Sequence, residues 1–380
     1  MKTSDIKKAV ILAHYAATGA TEELRDWLNS KRVEEVVYIA FPFMNSVSSA
    51  VTVSVFRRGK LVRTHESLLR FKRPEPVSYA KDVLYGLWYG MRFCRGADIL
   101  AGGDNLLACI GLCLKVIAGV KRVMYYMIDY TPVRYANPVL NALYYAFDRI
   151  AAYNADQVWP LIEKTIRRRF EDGKLKEKRV RSWQPVAFGT HLSHAKSVDT
   201  HAVVYLGGLI RNKGAELFLP VLEELRKKDA RYRLVVVGAG DYLAELREDI
   251  RRRKLAAWVT LYGHILDFSR VLAILSKTGV GIAPYYPDDP NNFSYNTDMG
   301  KLKVYIGCAL PVVVTDVPPF ARTLAEKKAG RIARYDAKDI ADQIRIIVKD
   351  HARYRSNARA LGEQYTWDKI FTKAFEKIEQ

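Results

Sequence analysis

The amino-acid sequence predicts an α/β fold made of two Rossmann-like domains, and this prediction depends on two patterns. Short, continuously apolar runs alternate with amphipathic segments in both halves of the 380-residue chain, which is typical of parallel strands joined by helices. Residues 180–201, which contain Pro, Gly, Ser and Thr and have little periodicity, separate the two halves. A chain of this length suits two domains of about 150–200 residues. We therefore predict domains at 1–190 and 191–365 and a C-terminal helix at 366–380.

Four apolar runs predict strands in the first half, with helical segments in the gaps. The strands are expected at 9–15, 36–43, 97–102 and 122–129, and helices at 79–93 and 105–118. A further helix should follow the small-residue loop A-A-T-G-A-T, with Thr21 as its N-cap and Glu23 in its first turn.

The second half repeats this pattern. Its strands are expected at 202–209, 233–240, 258–264, 279–285 and 310–316. The closing segment is amphipathic, with four large apolar side chains on one side: Trp367, Ile370, Phe371 and Phe375. Because ligands of parallel α/β sheets bind beyond the carboxyl ends of the strands, we expect the binding loops there, in a cleft between facing domains.

Composition and charge limit the class of protein. The chain carries 61 Lys and Arg against 41 Asp and Glu, a net charge of +20, which favours an anionic partner such as a membrane surface, nucleic acid or phosphorylated ligands. The four cysteines form no C-x-x-C pair, so free thiols in a reducing compartment are expected. The longest apolar tract, 105–120, is interrupted by Lys115 and is shorter than the ~20 residues of a membrane span. With too short an apolar run for a signal peptide at the N-terminus, a cytoplasmic location is expected.

The loop G-G-L-I-R-N-K-G at 207–214 is the first candidate for anion binding. Glycines such as Gly208 let backbone N–H groups approach a phosphate, and a helix N-terminus near Lys213 adds its positive dipole. Arg211 and Lys213 would add mobile charge. A tight turn with two solvated cations fits the same residues equally well, so this loop alone decides nothing.

Three more loops follow strands in the same half. G-A-G-D contains Gly238 and Gly240, a pattern that is weak evidence when it occurs alone. G-H-I contains His264 and Ile265, and A-P-Y-Y contains Pro284. A single loop histidine is seldom catalytic, but four such loops at one sheet edge form a candidate site.

In this order, the motifs resemble the GT-B glycosyltransferases of glycosyltransferase family 4. The chain has GGLIRNKG, VVVGAGD, VTLYGHI, GIAPY and KVYIGCALPVVVTDVP, and then QYTWDKIFTKAFEKI, which is similar to the family's last helix. The resemblance is strong over 200–380. Over 1–190 it is weak and consists of the glycine loop after the first strand and Q-P-V-A-F-G-T. It implies the GT-B fold, with the last helix crossing back to the first domain.

The resemblance also implies a reaction. A sugar moves from a nucleotide diphosphate sugar, such as a UDP- or GDP-sugar, usually with retention and without a metal or any other cofactor. Cations and N–H dipoles then have to neutralise the charge of the leaving diphosphate. Lys213 matches the family's phosphate-binding lysine, and Lys301 and Lys303 would add charge beside the phosphates. Gly19, in the first glycine loop, would let the backbone approach the donor.

Three positions depart from the family's pattern. Gly208 stands where the family has an arginine, and Arg211 could substitute for it from another angle. Val304 stands where a glutamate usually binds the ribose, and Asn296 replaces the other glutamate of the pair. Because valine accepts no hydrogen bond, another group holds the ribose or binding is weaker.

In the first half, Asp129 follows a strand where the family often has a histidine or aspartate near the reacting sugar. We expect it to orient the donor or acceptor, or to act as a base toward the acceptor hydroxyl. A helix N-cap ahead of Pro132 is the equally weighted alternative. His14, on the first strand, is expected in the core.

Three basic clusters, at 56–73, 78–95 and 164–181, mix cations with aromatic and aliphatic residues. Such a mixture suits an anionic bilayer surface, although solvated faces of a basic protein or a nucleic-acid surface would look similar. The residues expected at an acceptor or membrane surface are Arg57, Arg58, Lys60, Arg70, Lys72, Arg73, Trp88 and Arg134.

The sequence therefore predicts a glycosyltransferase that is peripheral on the inner face of the cell membrane. It would transfer a hexose-like sugar to a lipid-linked or polysaccharide acceptor. Two alternatives remain, a catalytically degenerate GT-B subunit that binds a partner and a glycosyltransferase acting on nucleic acid, the latter favoured only by charge.

Overall fold

The structure is a computed structural model that describes residues 5–14, 19–42, 49–68, 70, 75–289 and 292–379. The chain forms two compact units. The first unit comprises Met1–Ala187 together with Trp367–Gln380, and the second comprises Phe188–Thr366.

The first unit is a seven-stranded sheet with helices between its strands. Its strands are β1 (Lys8–His14), β2 (Glu35–Phe41), β3 (Thr52–Arg57), β4 (Lys60–Glu66), β5 (Ile99–Gly102), β6 (Arg122–Met127) and β7 (Gln157–Pro160). The helices are α1 (Ala20–Ser30), α2 (Glu75–Phe93), α3 (Asn105–Ile117), α4 (Pro138–Asn154) and α5 (Glu163–Glu171). The strand order is β4-β3-β2-β1-β5-β6-β7.

An antiparallel hairpin forms one edge of this otherwise parallel sheet. β3 pairs antiparallel with β2 and with β4, and the turn between them consists of Arg58 and Gly59, both at positive φ. Such a two-residue turn matches the twist of the two strands. The first basic cluster therefore begins as a hairpin, with β4 as an exposed edge strand, and the sequence pattern did not predict these two strands.

The start of α1 also differs from the prediction. Gly19 is the N-cap in extended conformation, and its carbonyl accepts the Glu23 N–H at 3.1 Å. Thr21 lies one residue inside the helix, where its hydroxyl donates to Glu22 at 3.0 Å. The prediction of Thr21 as N-cap is wrong because glycine begins the helix two residues earlier.

The second unit is a six-stranded sheet in which every pair is parallel. Its strands are β8 (Asp199–Leu206), β9 (Arg233–Val237), β10 (Val259–Gly263), β11 (Thr278–Ala283), β12 (Val312–Thr315) and β13 (Gly330–Ala333). The helices are α6 (Phe218–Arg226), α7 (Leu243–Arg252), α8 (Phe268–Leu275), α9 (Gly300–Gly307), α10 (Phe320–Glu326), α11 (Ala337–Lys349) and α12 (His351–Gly362). The order is β10-β9-β8-β11-β12-β13, so β8 and β11 are central. The predicted fold class of two Rossmann-like halves is confirmed.

The last helix, α13 (Trp367–Glu376), packs on the first unit through aromatic rings. The ring centroid of Trp27 on α1 lies 5.0 Å from that of Phe375 and 5.6 Å from that of Phe371. The indole N–H of Trp27 also donates to Asp368 at 2.9 Å. Phe371 and Phe375 are buried, so the apolar side of α13 completes the core of this unit.

We predict that Phe375→Ala lowers the free energy of unfolding of the first unit by about 3–5 kcal/mol, because it leaves a cavity beside two tryptophans. Lys373→Ala on the exposed side of α13 is the matched control, with a change of about 0.5 kcal/mol or less. Denaturant unfolding followed by tryptophan fluorescence measures both. Equal losses in the two variants would contradict the packing described here.

Candidate functional site

The loops after β8 and β9 approach each other so closely that only glycine fits. The Gly207 N–H donates to Val237 at 2.9 Å, and the Gly238 N–H donates to Gly263 after β10 at 2.8 Å. Gly207 has φ +128° and Gly238 has φ +149°, and a Cβ atom on Gly238 would lie 1.9 Å from the Gly207 carbonyl oxygen. A Cβ atom on Gly240 would lie 2.4 Å from the Leu209 carbonyl oxygen. The loops therefore form one tightly packed backbone cluster at the carboxyl ends of β8, β9 and β10.

The loop after β11 joins the same edge. Gly214 adopts a left-handed conformation, φ +71°, and a Cβ atom there would lie 2.1 Å from the carbonyl oxygen of Pro284. Lys213 Nζ lies 3.9 Å from the position that a Cβ atom of Gly208 would occupy. The absence of a side chain at 208 thus leaves room for the Lys213 ammonium group over the glycine loop.

Lys301, at the start of α9, brings a second amine to this loop. Its Nζ donates to the Tyr205 hydroxyl at 3.1 Å and lies 4.2 Å from the centroid of that ring. It also lies 3.0 Å from the position of a Cβ atom on Gly207. Burial and the nearby charge of Lys213 hold the pKa of Lys301 well below its usual value. An anion at this loop would relieve both effects, since it would pair with the two amines.

Two other predicted cations have acidic partners. The exposed Arg211 guanidinium pairs with Glu245 at 2.7 Å and lies 5.2 Å from the centroid of the Tyr242 ring. Lys303 Nζ pairs with Asp298 at 2.7 Å, and both side chains are only 1% exposed. The prediction that Lys303 adds charge beside the phosphates is wrong, because its charge is neutralised inside the unit.

The remaining predicted donor residues differ in exposure. Val304 is buried in the hydrophobic core of the second unit. Asn296, eight residues earlier in the chain, is also buried. His264 is exposed and Ile265 is half-buried after β10. The Val304 side chain is thus a core residue and offers no hydrogen bond.

In the first unit, a cavity of about 490 Å³ lies at the carboxyl ends of β1, β5 and β6, between α2 and α4. It brings together Asp129 and Arg134, which the sequence singled out, with His14 and Asp104. From the sequence, His14 was expected in the core, and Asp104 was not among the predicted site residues. The sequence signal is that each lies at the carboxyl end of a predicted strand, His14 as the last residue of β1 and Asp104 two residues after β5.

His14 lies between two carboxylates. Its Nδ1 forms a short hydrogen bond with Asp104, and its Nε2 lies 3.3 Å from Asp82 on α2. Burial by itself lowers the pKa of His14, but Asp104 and Asp82 outweigh it and raise the pKa to about 10. His14 is therefore an imidazolium cation at neutral pH.

A buried polar network supports the loop that carries Asp129. Tyr125 donates to Asp148 at 2.5 Å, and the same carboxylate accepts from Arg169 at 3.0 Å. Arg169 Nη2 also donates to the Asp129 carbonyl oxygen at 2.6 Å. Arg169, which lies in the third basic cluster, is therefore fully buried, so the reading of that cluster as wholly solvated or membrane-facing is wrong at this position.

The side chain of Asp129 lines the cavity. No helix starts at this point of the described chain, because α4 begins later with Asn137 as its N-cap. The alternative of Asp129 as a helix N-cap is therefore wrong.

Two of the arginines predicted at an acceptor or membrane surface form ion pairs within the first unit. Arg57 pairs with Glu35 at 3.3 Å, and Arg70 pairs with Glu66 at 2.6 Å. Arg58, Lys60 and Arg134 are exposed, and Trp88 on α2 is 59% exposed. Lys72 and Arg73 lie outside the described residues.

Metal ligands and membrane spans were sought in the described residues. In that part of the chain, His, Cys, Asp and Glu side chains form no group of three or more that could hold a metal ion. None of its helices is both long enough and apolar enough to span a membrane. The four cysteines, all of them described, are free thiols, as predicted.

Comparisons with known proteins agree with this architecture. Residues 200–350 match the family model described as Glycosyl transferases group 1. No curated protein matches the sequence. The resemblance to the GT-B glycosyltransferases is confirmed by this match and by the folds of solved structures.

Three of these solved structures illustrate the likeness. Sucrose-phosphate synthase from Thermosynechococcus elongatus has a TM-score of 0.71 at 16% identity, over 98% of each chain. HepE from Anabaena, solved in complex with UDP, has a TM-score of 0.68 at 14% identity, over 98% of this chain and 99% of the other. The pneumococcal O-GlcNAc transferase GtfA, in complex with UDP and GlcNAc, has a TM-score of 0.68 at 11% identity, over 98% of this chain and 99% of the other. At such identities the likeness establishes the fold.

We predict that the His14 cluster stabilises the folded protein below about pH 6.5 and that this contribution is lost as the pH rises through about 10. The pKa of His14 rises on folding from 6.5 to about 10, so the folded state binds the proton more tightly. His14→Gln should lower the free energy of unfolding by about 1.5–3 kcal/mol at pH 6, the range for hydrogen bonds to charged groups, and by less at pH 10. Denaturant unfolding of both proteins at the two pH values measures this, and a difference that is the same at both would contradict it.

Proposed function

We propose that this protein is a glycosyltransferase that moves a hexose-like sugar from a nucleotide diphosphate sugar, such as a UDP- or GDP-sugar, to a hydroxyl acceptor. The observation that carries the proposal is the pair of amines, Lys213 and Lys301, beside the glycine loop that follows β8. It lies within the segment that matches the group 1 glycosyltransferase model. Both solved complexes cited above contain UDP, which supports a UDP-sugar as the first donor to test.

Transfer from the donor requires above all that the negative charge developing on the leaving diphosphate is stabilised. As the bond between the sugar's anomeric carbon and the diphosphate oxygen breaks, its electron pair leaves with the diphosphate. Lys213, Lys301 and the backbone N–H groups of the glycine loops would stabilise this charge before and during the transfer. The metal-independent, retaining course that the family resemblance implies is part of this proposal, and the anomeric configuration of the product, read by proton NMR, tests retention.

The acceptor would bind in the first unit. Asp129 lines a cavity there and is our candidate for orienting a substrate or serving as base. We propose that this acceptor is lipid-linked or a polysaccharide, presented at the cytoplasmic face of the membrane. The net charge of +20 and the exposed apolar side chains of Leu84 and Trp88 on α2, 71% and 59% exposed, support this location.

We predict that Lys213→Ala and Lys301→Met each weaken UDP binding about tenfold or more, since a charge-assisted hydrogen bond contributes about 1.5–3 kcal/mol. Lys228→Ala, which removes an exposed lysine just after α6, is the matched control and should bind UDP as the unchanged protein does. Isothermal titration calorimetry measures all four proteins.

The same titration decides between the proposal and its main alternative. No binding of UDP, GDP or their sugars to the unchanged protein would favour the catalytically degenerate subunit. Unchanged affinity in both lysine variants would mean that the diphosphate binds elsewhere.

We predict that the protein floats with liposomes that contain anionic lipid and less with neutral ones at low salt, because each Lys or Arg near such a surface contributes about 1 kcal/mol. Raising the salt concentration should weaken the interaction. Trp88→Ala should reduce flotation, while Trp258→Ala, at an exposed tryptophan of the second unit, should not. Equal flotation with anionic and neutral liposomes would remove the membrane proposal.

A further inference from the structure

The polar floor of the first-unit cavity is built by two neighbouring strands. His14 is the last residue of β1, and Asp104 follows β5, which pairs with β1 in parallel. Asp104 is also the N-cap of α3, and its Oδ1 accepts the Leu107 N–H at 2.9 Å. The sheet and the helix start therefore hold this carboxylate in one orientation, with its other oxygen on the His14 ring.

The charges around His14 balance within a small group. Both ring nitrogens face carboxylates, Asp104 and Asp82, so the imidazolium form satisfies both contacts. Asp82 lies 3.2 Å from Lys81 Nζ and is 1% exposed. Two positive and two negative groups thus offset each other where an isolated buried charge would be costly.

Only one of the two carboxylates reaches the cavity. The side chain of Asp104 is 33% exposed and lines the cavity, whereas Asp82 is shut away from it. Asp104 can therefore accept a further hydrogen bond from a molecule in the cavity, while Asp82 contacts the His14 ring and Lys81 inside the unit.

We propose that Asp104 accepts a hydrogen bond from a hydroxyl group of the acceptor substrate, and that His14 is a positioning residue that keeps this carboxylate ionised and aimed into the cavity. This inference rests on the proposed function in treating the ligand as the acceptor. Besides Asp129, it assigns the hydroxyl contact to Asp104 and a positioning role to His14, and neither of these two residues was predicted as a site residue from the sequence.

The cavity walls indicate the class of alcohol. Aromatic rings from α2 and α4 face the polar floor, namely Tyr79, Tyr144 and Phe147. Aliphatic side chains continue along the wall toward Leu143, which is 50% exposed. A sugar ring has hydroxyl edges and apolar C–H faces, and an attached alkyl chain would cover the aliphatic wall. The cavity therefore fits an amphiphilic glycoside, in line with a lipid-linked acceptor.

The ionisation of Asp104 depends on His14. Burial raises the pKa of Asp104, but the charge and hydrogen bond of His14 together with two backbone N–H groups lower it below its usual value. Without the His14 cation, less would counteract the effect of burial, so the pKa of Asp104 would rise. Among the described residues, the other titratable or charged groups that line the cavity or contact this pair are Tyr79, Lys81 and Asp82 on α2, Tyr125 on β6, Asp129, Arg134 and Tyr135 after β6, and Tyr144 on α4.

Binding of octyl β-glucoside below its critical micelle concentration, measured by calorimetry or saturation-transfer NMR, tests the hydroxyl contact. The full-length protein should bind it, and Asp104→Asn, which preserves size and shape, should bind it about tenfold more weakly. Asp26→Asn on α1, whose side chain is 58% exposed, is the matched control and should leave binding unchanged. Methyl β-glucoside should bind more weakly than the octyl compound, because it lacks the chain that covers the aliphatic wall.

Two outcomes would overturn this inference. One is full-strength binding by Asp104→Asn, and the other is no binding of octyl β-glucoside by the unchanged protein. UDP titration of the same samples keeps the questions separate, because a failure of the proposed function would appear as lost nucleotide binding while the glucoside result stands on its own.

The positioning role of His14 has its own test in the pH dependence of binding. At pH 7.5 the Asp104 carboxylate should be ionised in both proteins, but at pH 5 His14→Gln should lose several-fold more glucoside affinity than the unchanged protein. A purely structural role would weaken binding equally at both pH values, and that result would overturn the assignment. If His14→Gln does not fold, Asp104→Asn still decides the hydroxyl contact.

Discussion

The close approach of backbone at the carboxyl edge of the second sheet is the constraint on which the rest of that unit's site depends. Gly207 and Gly238 meet so closely that a single Cβ atom would collide with a carbonyl oxygen. Lys213 and Lys301 lie beside the same loop. Burial and the nearby positive charge of Lys213 both lower the pKa of Lys301, and an anion beside the two amines would oppose this shift.

In the first unit, the carboxyl ends of parallel strands carry acidic side chains, where those of the second unit carry amines. Its cavity, also at the carboxyl ends of parallel strands, has carboxylates at its floor and aromatic rings on its walls. The cation His14 holds the Asp104 carboxylate of this floor, and the buried Arg169, paired with Asp148, donates to the backbone carbonyl of Asp129. The second unit thus carries amines at the carboxyl ends of its strands, whereas the first unit carries carboxylates there.

The contrast between Lys301 and Lys303 explains why net charge alone is a poor guide to a site. Both lie on α9, two residues apart, and both are largely removed from water. Lys303 has Asp298 within 2.7 Å and is part of the core, whereas Lys301 Nζ donates to the Tyr205 hydroxyl and lies beside aromatic rings and near the charge of Lys213. Arg169 is a similar case in the first unit: it belongs to a highly basic run of the sequence, but it is buried and paired with Asp148.

By itself, the sequence determined the alternation of strands and helices, the glycine loops and the order of the donor-side motifs, because these depend on local periodicity and on residues with special backbone freedom. It did not reveal the β3–β4 hairpin, whose edge strand lacks an apolar face, or the glycine cap of α1. Only the tertiary structure decided which charges are paired, since an ion pair such as Lys303 with Asp298 depends on side-chain direction. It also made His14 and Asp104 neighbours, 90 residues apart in the chain, because the adjacency of β1 and β5 is set by strand order, which no local pattern encodes.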